Sequence, residues 1–179
     1  MKDLHYRFKI IVAGDGGVGK TTLIYRYVDG TFKSNTSMTI GIQFHQKFID
    51  LNDNTTCELL LWDLGGQDHF RAILKRFVKG SHGALLMFDL SRIITLFNLD
   101  EWMELLSDSE PDIPIVLIGG KADLLEKGVF PYQDKLLEFK EKYNFENVIF
   151  VSSKTGENVN EVFEFITKEI IKSHDSNDK

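Results

Sequence analysis

The stretch Gly14-Asp15-Gly16-Gly17-Val18-Gly19-Lys20-Thr21 constrains this chain more than any other. It follows the mostly apolar run Phe8–Ala13, which has the pattern of a buried strand, and opens into Thr22–Val28, which has that of a helix. A loop of the form G-x-x-x-x-G-K-[ST] in that setting is a phosphate-binding loop. Its glycines let the backbone curl so that successive N–H groups point inward at phosphate oxygens. The helix behind it adds the positive end of its dipole. Lys20 would supply a full charge to the terminal phosphates, for binding and for catalysis, and Thr21 a hydroxyl ligand to Mg²⁺. The expected ligand is a nucleoside triphosphate held by Asp15, Gly16, Gly17, Val18, Gly19, Lys20, Thr21 and Thr22. The bland alternative is a glycine-rich turn with a solvated lysine. Spacing and both flanks argue against it.

The remaining pattern alternates strand and helix. Tyr6, Phe8 and Ile10 alternate before the first run turns continuously apolar, as a strand does on entering a covered sheet. Asp29–Ser37 is a polar loop rich in turn formers. Ile40–Leu51 and Thr56–Asp63 are predicted as an antiparallel hairpin turning at Asn52-Asp53-Asn54. A helix is expected from near Phe70, then a buried strand at Gly83–Asp89. Thr95–Leu106 predicts a helix with Leu96, Leu99, Trp102, Met103 and Leu106 on one face. Ile115–Ile118, a helix over Tyr132–Tyr143 and a strand at Val148–Val151 follow. The last helix starts at Asn158, a candidate N-cap with Glu161 three residues on. Its stripe is Val159, Val162, Phe163, Ile166 and Ile170. Such alternation specifies an α/β doubly wound sheet with helices on both faces, whose ligands sit beyond the carboxyl ends of the strands.

Composition narrows the functional classes. At 179 residues the chain suits one domain, able to bury roughly 70% of the surface its unfolded form exposes. We assign 1–172 to a single domain and 173–179 to a short polar tail. A formal net charge of −6 lacks the basic stripe of a nucleic-acid binder. The single cysteine, Cys57, permits no intrachain disulfide or cysteine-based zinc site, and its strand setting suits a packed residue. No apolar run is long enough to span a bilayer. The chain shows no signal-peptide core at its start and no cysteine to prenylate near its end. The expectation is a cytoplasmic protein without a direct membrane anchor, meeting membranes only through partners or residues beyond this sequence.

Further motifs fall at strand ends. In Leu61-Trp62-Asp63-Leu64-Gly65-Gly66-Gln67, Asp63 can hold Mg²⁺ through a bridging water. The glycine pair lets a backbone N–H approach a terminal phosphate, and Gln67 can orient an attacking water. Lys121-Ala122-Asp123 follows the Ile115–Ile118 strand. Asp123 can accept two hydrogen bonds from N1–H and the exocyclic amine of guanine; adenine lacks both donors and would leave a buried carboxylate unpaired. Ser152-Ser153-Lys154 can meet the base from the other side through a backbone N–H. His45, His69 and His82 show no ligand spacing.

Together these motifs make the chain resemble a Ras-superfamily small GTPase along nearly its whole length, closest in style to the Rab branch. Thr39-Ile40-Gly41-Ile42-Gln43-Phe44 is similar to a Rab first switch, Trp62–Gln67 to a second switch, and Ser153–Val159 is Rab-like. Leu64-Gly65-Gly66 is closer to the Arf branch. The resemblance implies the P-loop small-GTPase fold, a mostly parallel six-stranded sheet with one antiparallel edge strand. It implies GTP and GDP as ligands, Mg²⁺ bound by Thr21, Thr39 and, through water, Asp63, and Gln67 as a catalytic residue. Thr39 and the Gly66 N–H would hold the γ-phosphate. Phe32 would pack on the guanine edge, the alternative being an ordinary hydrophobic anchor for its loop. Losing the γ-phosphate would relax both switch loops. The surface around Ile42, Phe44, Trp62 and Phe70 would then change, as a partner site or by internal packing. An effector, an exchange factor and a GTPase-activating protein are the implied partners.

Three departures qualify the resemblance. The family's Asn-Lys-x-Asp motif appears as Gly120-Lys121-Ala122-Asp123. The missing amide normally bonds the base and ties the base loop to the phosphate loop; Rho-type members carry Thr there. Its loss predicts faster nucleotide release, by up to roughly a hundredfold in affinity, and a slower release in Gly120→Asn. Ser37, two residues before Thr39, replaces the arginine of Gα proteins, so intrinsic hydrolysis should be slow without an activating protein. The prenylation cysteine usual in Rab proteins is not in this sequence. The leading reading is a GTP-hydrolysing switch regulating partners in vesicle traffic or signalling. The alternatives are a nucleotide-binding scaffold with little hydrolysis and, more weakly, an ATP-using phosphotransferase.

Overall fold

The computed structural model describes residues 3–34, 37–51, 55–66, 71–126 and 129–177. Six strands, β1 (Asp3–Ala13), β2 (Ile42–Asp50), β3 (Thr55–Leu64), β4 (Gly83–Asp89), β5 (Ile115–Gly120) and β6 (Val148–Phe150), form one sheet in the order β2-β3-β1-β4-β5-β6. Every pairing is parallel except β2 with β3. The helices are α1 (Lys20–Asp29), α2 (Arg71–Val78), α3 (Ile94–Phe97), α4 (Leu99–Ser109), α5 (Gln133–Tyr143) and α6 (Val159–Asn177), with a 3₁₀ turn at Ala122–Leu124.

Successive residues of β1 point to opposite faces. Phe8, Ile10 and Val12 pack with Leu23 and Ile24 of α1 and Phe163 and Ile166 of α6. Ile11 and Ala13 join Leu74 of α2, Trp102 of α4 and Phe139 of α5. Burial on both faces explains why β4 is apolar without alternation as far as Phe88, and buried at every position including the closing Asp89. The predicted stripes of the helices at Thr95–Leu106 and after Asn158 are all buried. The first of those helices is divided at Asn98, so one predicted element is two. Asn158 takes a left-handed φ of 57°, and its amide donates to the Phe150 carbonyl at 2.8 Å. It therefore ties the start of α6 to β6. α6 runs on through Asn177, into the stretch expected as a polar tail.

The predicted turn at Asn52-Asp53-Asn54, together with Gln67, His69 and Phe70, lies outside the described residues. Among the described residues, no helix is long and apolar enough to cross a membrane, and no cluster of His, Cys, Asp and Glu could by itself hold a metal ion.

Candidate functional site

The parallel strands β1, β3, β4, β5 and β6 run in one direction, so the segments at 14–20, 65–66, 90–92, 121–123 and 151–154 follow their carboxyl ends. They surround a cleft of about 540 Å³. Gly16 to Thr22, Phe32, Thr39, Gly66, Lys121, Asp123, Ser153 and Lys154 line it. Asp15 and Ser152 act from behind the wall. The Asp15 carboxylate accepts hydrogen bonds from Asn98 Nδ2 at 2.6 Å and from the buried Trp102 Nε1 at 2.9 Å. Those two residues of the α3–α4 region fix the start of the phosphate loop.

At the phosphate end, α1 begins at Lys20, directly after Gly19 (φ 106°), and its first turn has no side-chain cap. Its leading N–H groups are thereby available to an anion. Lys20 is buried; its Nζ donates to the carbonyls of Gly14 at 2.7 Å and Asp15 at 2.8 Å. Burial pushes its pKa down to about 8, with the Arg92 charge acting in the same direction and Asp63 and Asp15 opposing. The charged form is thus destabilised by about 3 kcal/mol in the protein alone. A bound polyphosphate would reverse that.

Beside Lys20, three oxygen-bearing side chains converge. The Thr21 and Thr39 hydroxyls lie 2.7 Å apart. Thr21 Oγ1 donates to Asp63 Oδ2, and Thr39 Oγ1 does so at 3.3 Å. Asp63 is fully buried, and its other oxygen, Oδ1, has no hydrogen-bond partner. Burial raises its pKa despite opposing hydrogen bonds and the nearby Lys20 charge. A buried carboxylate oxygen without a partner, next to two hydroxyls, fits an oxygen-preferring cation such as Mg²⁺.

The two loops expected to switch touch the phosphate loop and each other. The Gly65 N–H donates to the Gly41 carbonyl at 2.7 Å. A Cβ on Gly66 would fall 2.2 Å from the Gly16 nitrogen, so only glycine permits this approach. On the outer side, Phe44 is 61% exposed and meets Trp62 edge-on at 4.6 Å. An apolar cleft of about 350 Å³ lies between Gly41, Ile42 and Phe44 and the residues Ile73, Leu74 and Phe77 of α2. The aromatics thus divide, Phe44 outward and Trp62 half-buried.

At the base end, Ser152 is fully buried. Its Oγ donates to Asp123 Oδ1 at 2.6 Å and accepts from the Thr155 N–H at 3.1 Å, which orients the carboxylate. The Ala122 N–H donates to the Val151 carbonyl at 3.0 Å, joining the two base-side segments. Lys121 has a left-handed φ of 62° and reaches Asp89 Oδ2 at 2.7 Å. Arg92 Nε meets the same oxygen at 2.8 Å, and its Nη2 donates to the Gly16 carbonyl at 3.1 Å. Burial alone would raise the Asp89 pKa, but hydrogen bonds from Lys121, Ser91 and Arg92 outweigh it and hold the carboxyl below its ordinary value. Asp89 therefore links the base loop to the phosphate loop. Neither Asp89 nor Arg92 stood out in the sequence, although their place after β4 satisfies the same strand-end rule as the recognised motifs.

A phosphate loop, a carboxylate–hydroxyl cluster and an oriented carboxylate on one mostly parallel sheet define a nucleotide-binding protein of the small-GTPase type. The sequence matches the Ras family model over residues 9–172. It is 36% identical over 170 residues to the Ras-related protein Rab-1 of Theileria parva, covering 94% of this chain and 76% of that protein. It is 37% identical over 171 residues to Rab-2B of Dictyostelium discoideum, covering 95% and 83%. With human Rab-19 it shares 33% over 171 residues, covering 95% and 78%. The chain belongs to the Ras family, is Rab-like within it, and is a GTPase.

Proposed function

We propose that this protein is a Mg²⁺-dependent guanine-nucleotide switch of the Rab type. One observation carries the reading: a single cleft joins the buried Lys20 at one end to Asp123, oriented by Ser152, at the other. In this reading the backbone from Asp15 to Thr22 and the Lys20 ammonium hold the phosphates. Thr21 and Thr39 ligate Mg²⁺, and Asp63 holds it through water. Bound there, the ion would neutralise charge developing on the phosphate oxygens. Gly66 approaches the γ-phosphate, Gln67 orients the attacking water, and Phe32, Lys121, Ser153 and Lys154 frame the base and sugar.

Hydrolysis by the isolated chain is slow in this account, because the loop before Thr39 carries no arginine and an activating protein must supply one. The exposed Phe44 and its apolar cleft suit an effector that reads the first switch. Vesicle traffic is the process the Rab-like relationship favours. The test is displacement of a fluorescent guanine nucleotide by GDP and by ADP with Mg²⁺ present, followed by a single-turnover assay with GTP. Displacement by GDP alone, with slow phosphate release, is expected. Weak binding that ignores the base would favour the scaffold reading, since Gly120 would then have disabled the base site.

A further inference from the structure

Met87 lies in β4, is 1% exposed, and nevertheless lines the nucleotide cleft. Its terminal methyl stands between two loops. A Cβ built on Gly120 would lie 2.3 Å from Met87 Cε, and one on Gly19 would lie 3.5 Å from the same atom. Position 120 is where the amide side chain of the family motif would tie the base loop to the phosphate loop. The volume that side chain would enter is occupied from β4. The surrounding backbone closes in as well, since the same Cβ would stand 3.1 Å from the Val18 carbonyl oxygen and 3.4 Å from that of Phe88. The Met87 methyl is the flexible end of a buried side chain, and the space it can yield into is the cleft it lines.

We propose that Met87 and Gly120 are a matched pair. The Met87 thioether replaces the absent side chain, holds the base loop against the phosphate loop by packing, and presents an apolar wall to the bound guanine. This rests on the guanine-nucleotide reading above. A thioether is flexible and polarisable, fills irregular gaps and packs well against ring edges. It makes no strong directional hydrogen bond, so the tie depends on volume. Volume added at 120 must therefore be removed at 87. The Asp89 ion pairs join the same loops from the solvent side, where Lys121 and Arg92 are partly exposed; Met87 does so from within the core.

The test is a double-variant cycle read as the rate of fluorescent GDP release with Mg²⁺ present. Met87→Val keeps a strand-forming apolar residue but withdraws the sulfur and terminal methyl; release should quicken on the order of tenfold. Gly120→Asn alone should also quicken release, contrary to the expectation from sequence. The combined variant should release GDP more slowly than either single one, a compensation that general core damage would not produce. If Gly120→Asn does not fold, Gly120→Ala carries the same clash in its smallest form and completes the cycle. Slower release from Gly120→Asn alone, or a combined effect equal to the product of the single ones, overturns the pairing. A parent protein that is folded by circular dichroism but retains no GDP overturns the guanine reading and the pairing together.

Discussion

The two ends of the cleft are built on different principles. The phosphate end comes from one contiguous segment, where glycines, a helix start and Lys20 act through backbone geometry over eight residues. The base end is assembled from three strand ends far apart in sequence, through Ser152–Asp123 and Lys121–Asp89–Arg92. A local site tolerates little change, because each N–H has one direction to point. A site assembled over distance can lose a side chain, as at Gly120, and have the space and the tie supplied from elsewhere. That explains how a departure from a family motif can coexist with an otherwise intact site.

The largest effect should come from the local end. Lys20→Met removes the charge facing the phosphates and should weaken GDP and GTP binding by on the order of a hundredfold or more. Its nucleotide-free melting temperature should stay within a few degrees of the parent's, since a buried charge is lost along with its hydrogen bonds. Titration calorimetry and thermal melts check both. A large fall in stability with modest loss of affinity would show that the lysine is mainly structural and erase the contrast.

A smaller effect should appear with pH. The Lys20 pKa is lowered to about 8 in the protein alone, and a polyphosphate would raise it. Binding above pH 8 must then take up a proton, and affinity should fall by up to about tenfold per pH unit while staying flat below pH 7. For the nucleotide-free fold the sign is opposite. The unfolded lysine holds its proton more tightly, so this group makes stability rise with pH between about 8 and the ordinary lysine value. Calorimetry in buffers of different ionisation enthalpy measures the uptake. No proton uptake at pH 8.5 would break the proposed contact between Lys20 and phosphate.

The smallest effect belongs to the distributed end. Ser152→Ala frees the Asp123 carboxylate without touching the cleft wall and should weaken GDP about fivefold, leaving ADP displacement unchanged. An equal loss for both nucleotides would place Ser152 in general support of the fold.

Much of the fold was legible because its signals are local or periodic. The apolar runs of β1, β4 and β5, the stripes of α4 and α6, and the phosphate loop each announce themselves within a short window. Asp63, Thr39 and Asp123 stood out as candidates because each follows or sits beside a recognisable motif. The division of α3 from α4 at Asn98 was not, since Leu96 and Leu99 continue one apolar spacing across the break. Asp89, Arg92 and Met87 were missed for another reason. An Asp at a strand end, an arginine in a loop and a methionine in an apolar run all have ordinary explanations until neighbouring strands bring them beside the cleft.

The sequence by itself determined the phosphate loop, the alternation that yields a doubly wound sheet, and the two faces of the core, because these depend on residue type and spacing along the chain. Only the tertiary structure decided how the base end is held. Ser152 orients Asp123 across 29 positions, Arg92 reaches Gly16 across 76, and the Met87 methyl lies where a Gly120 side chain would be. Side-chain volume and hydrogen-bond direction act over a few ångströms, and which residues come that close is settled by the order of strands in the sheet.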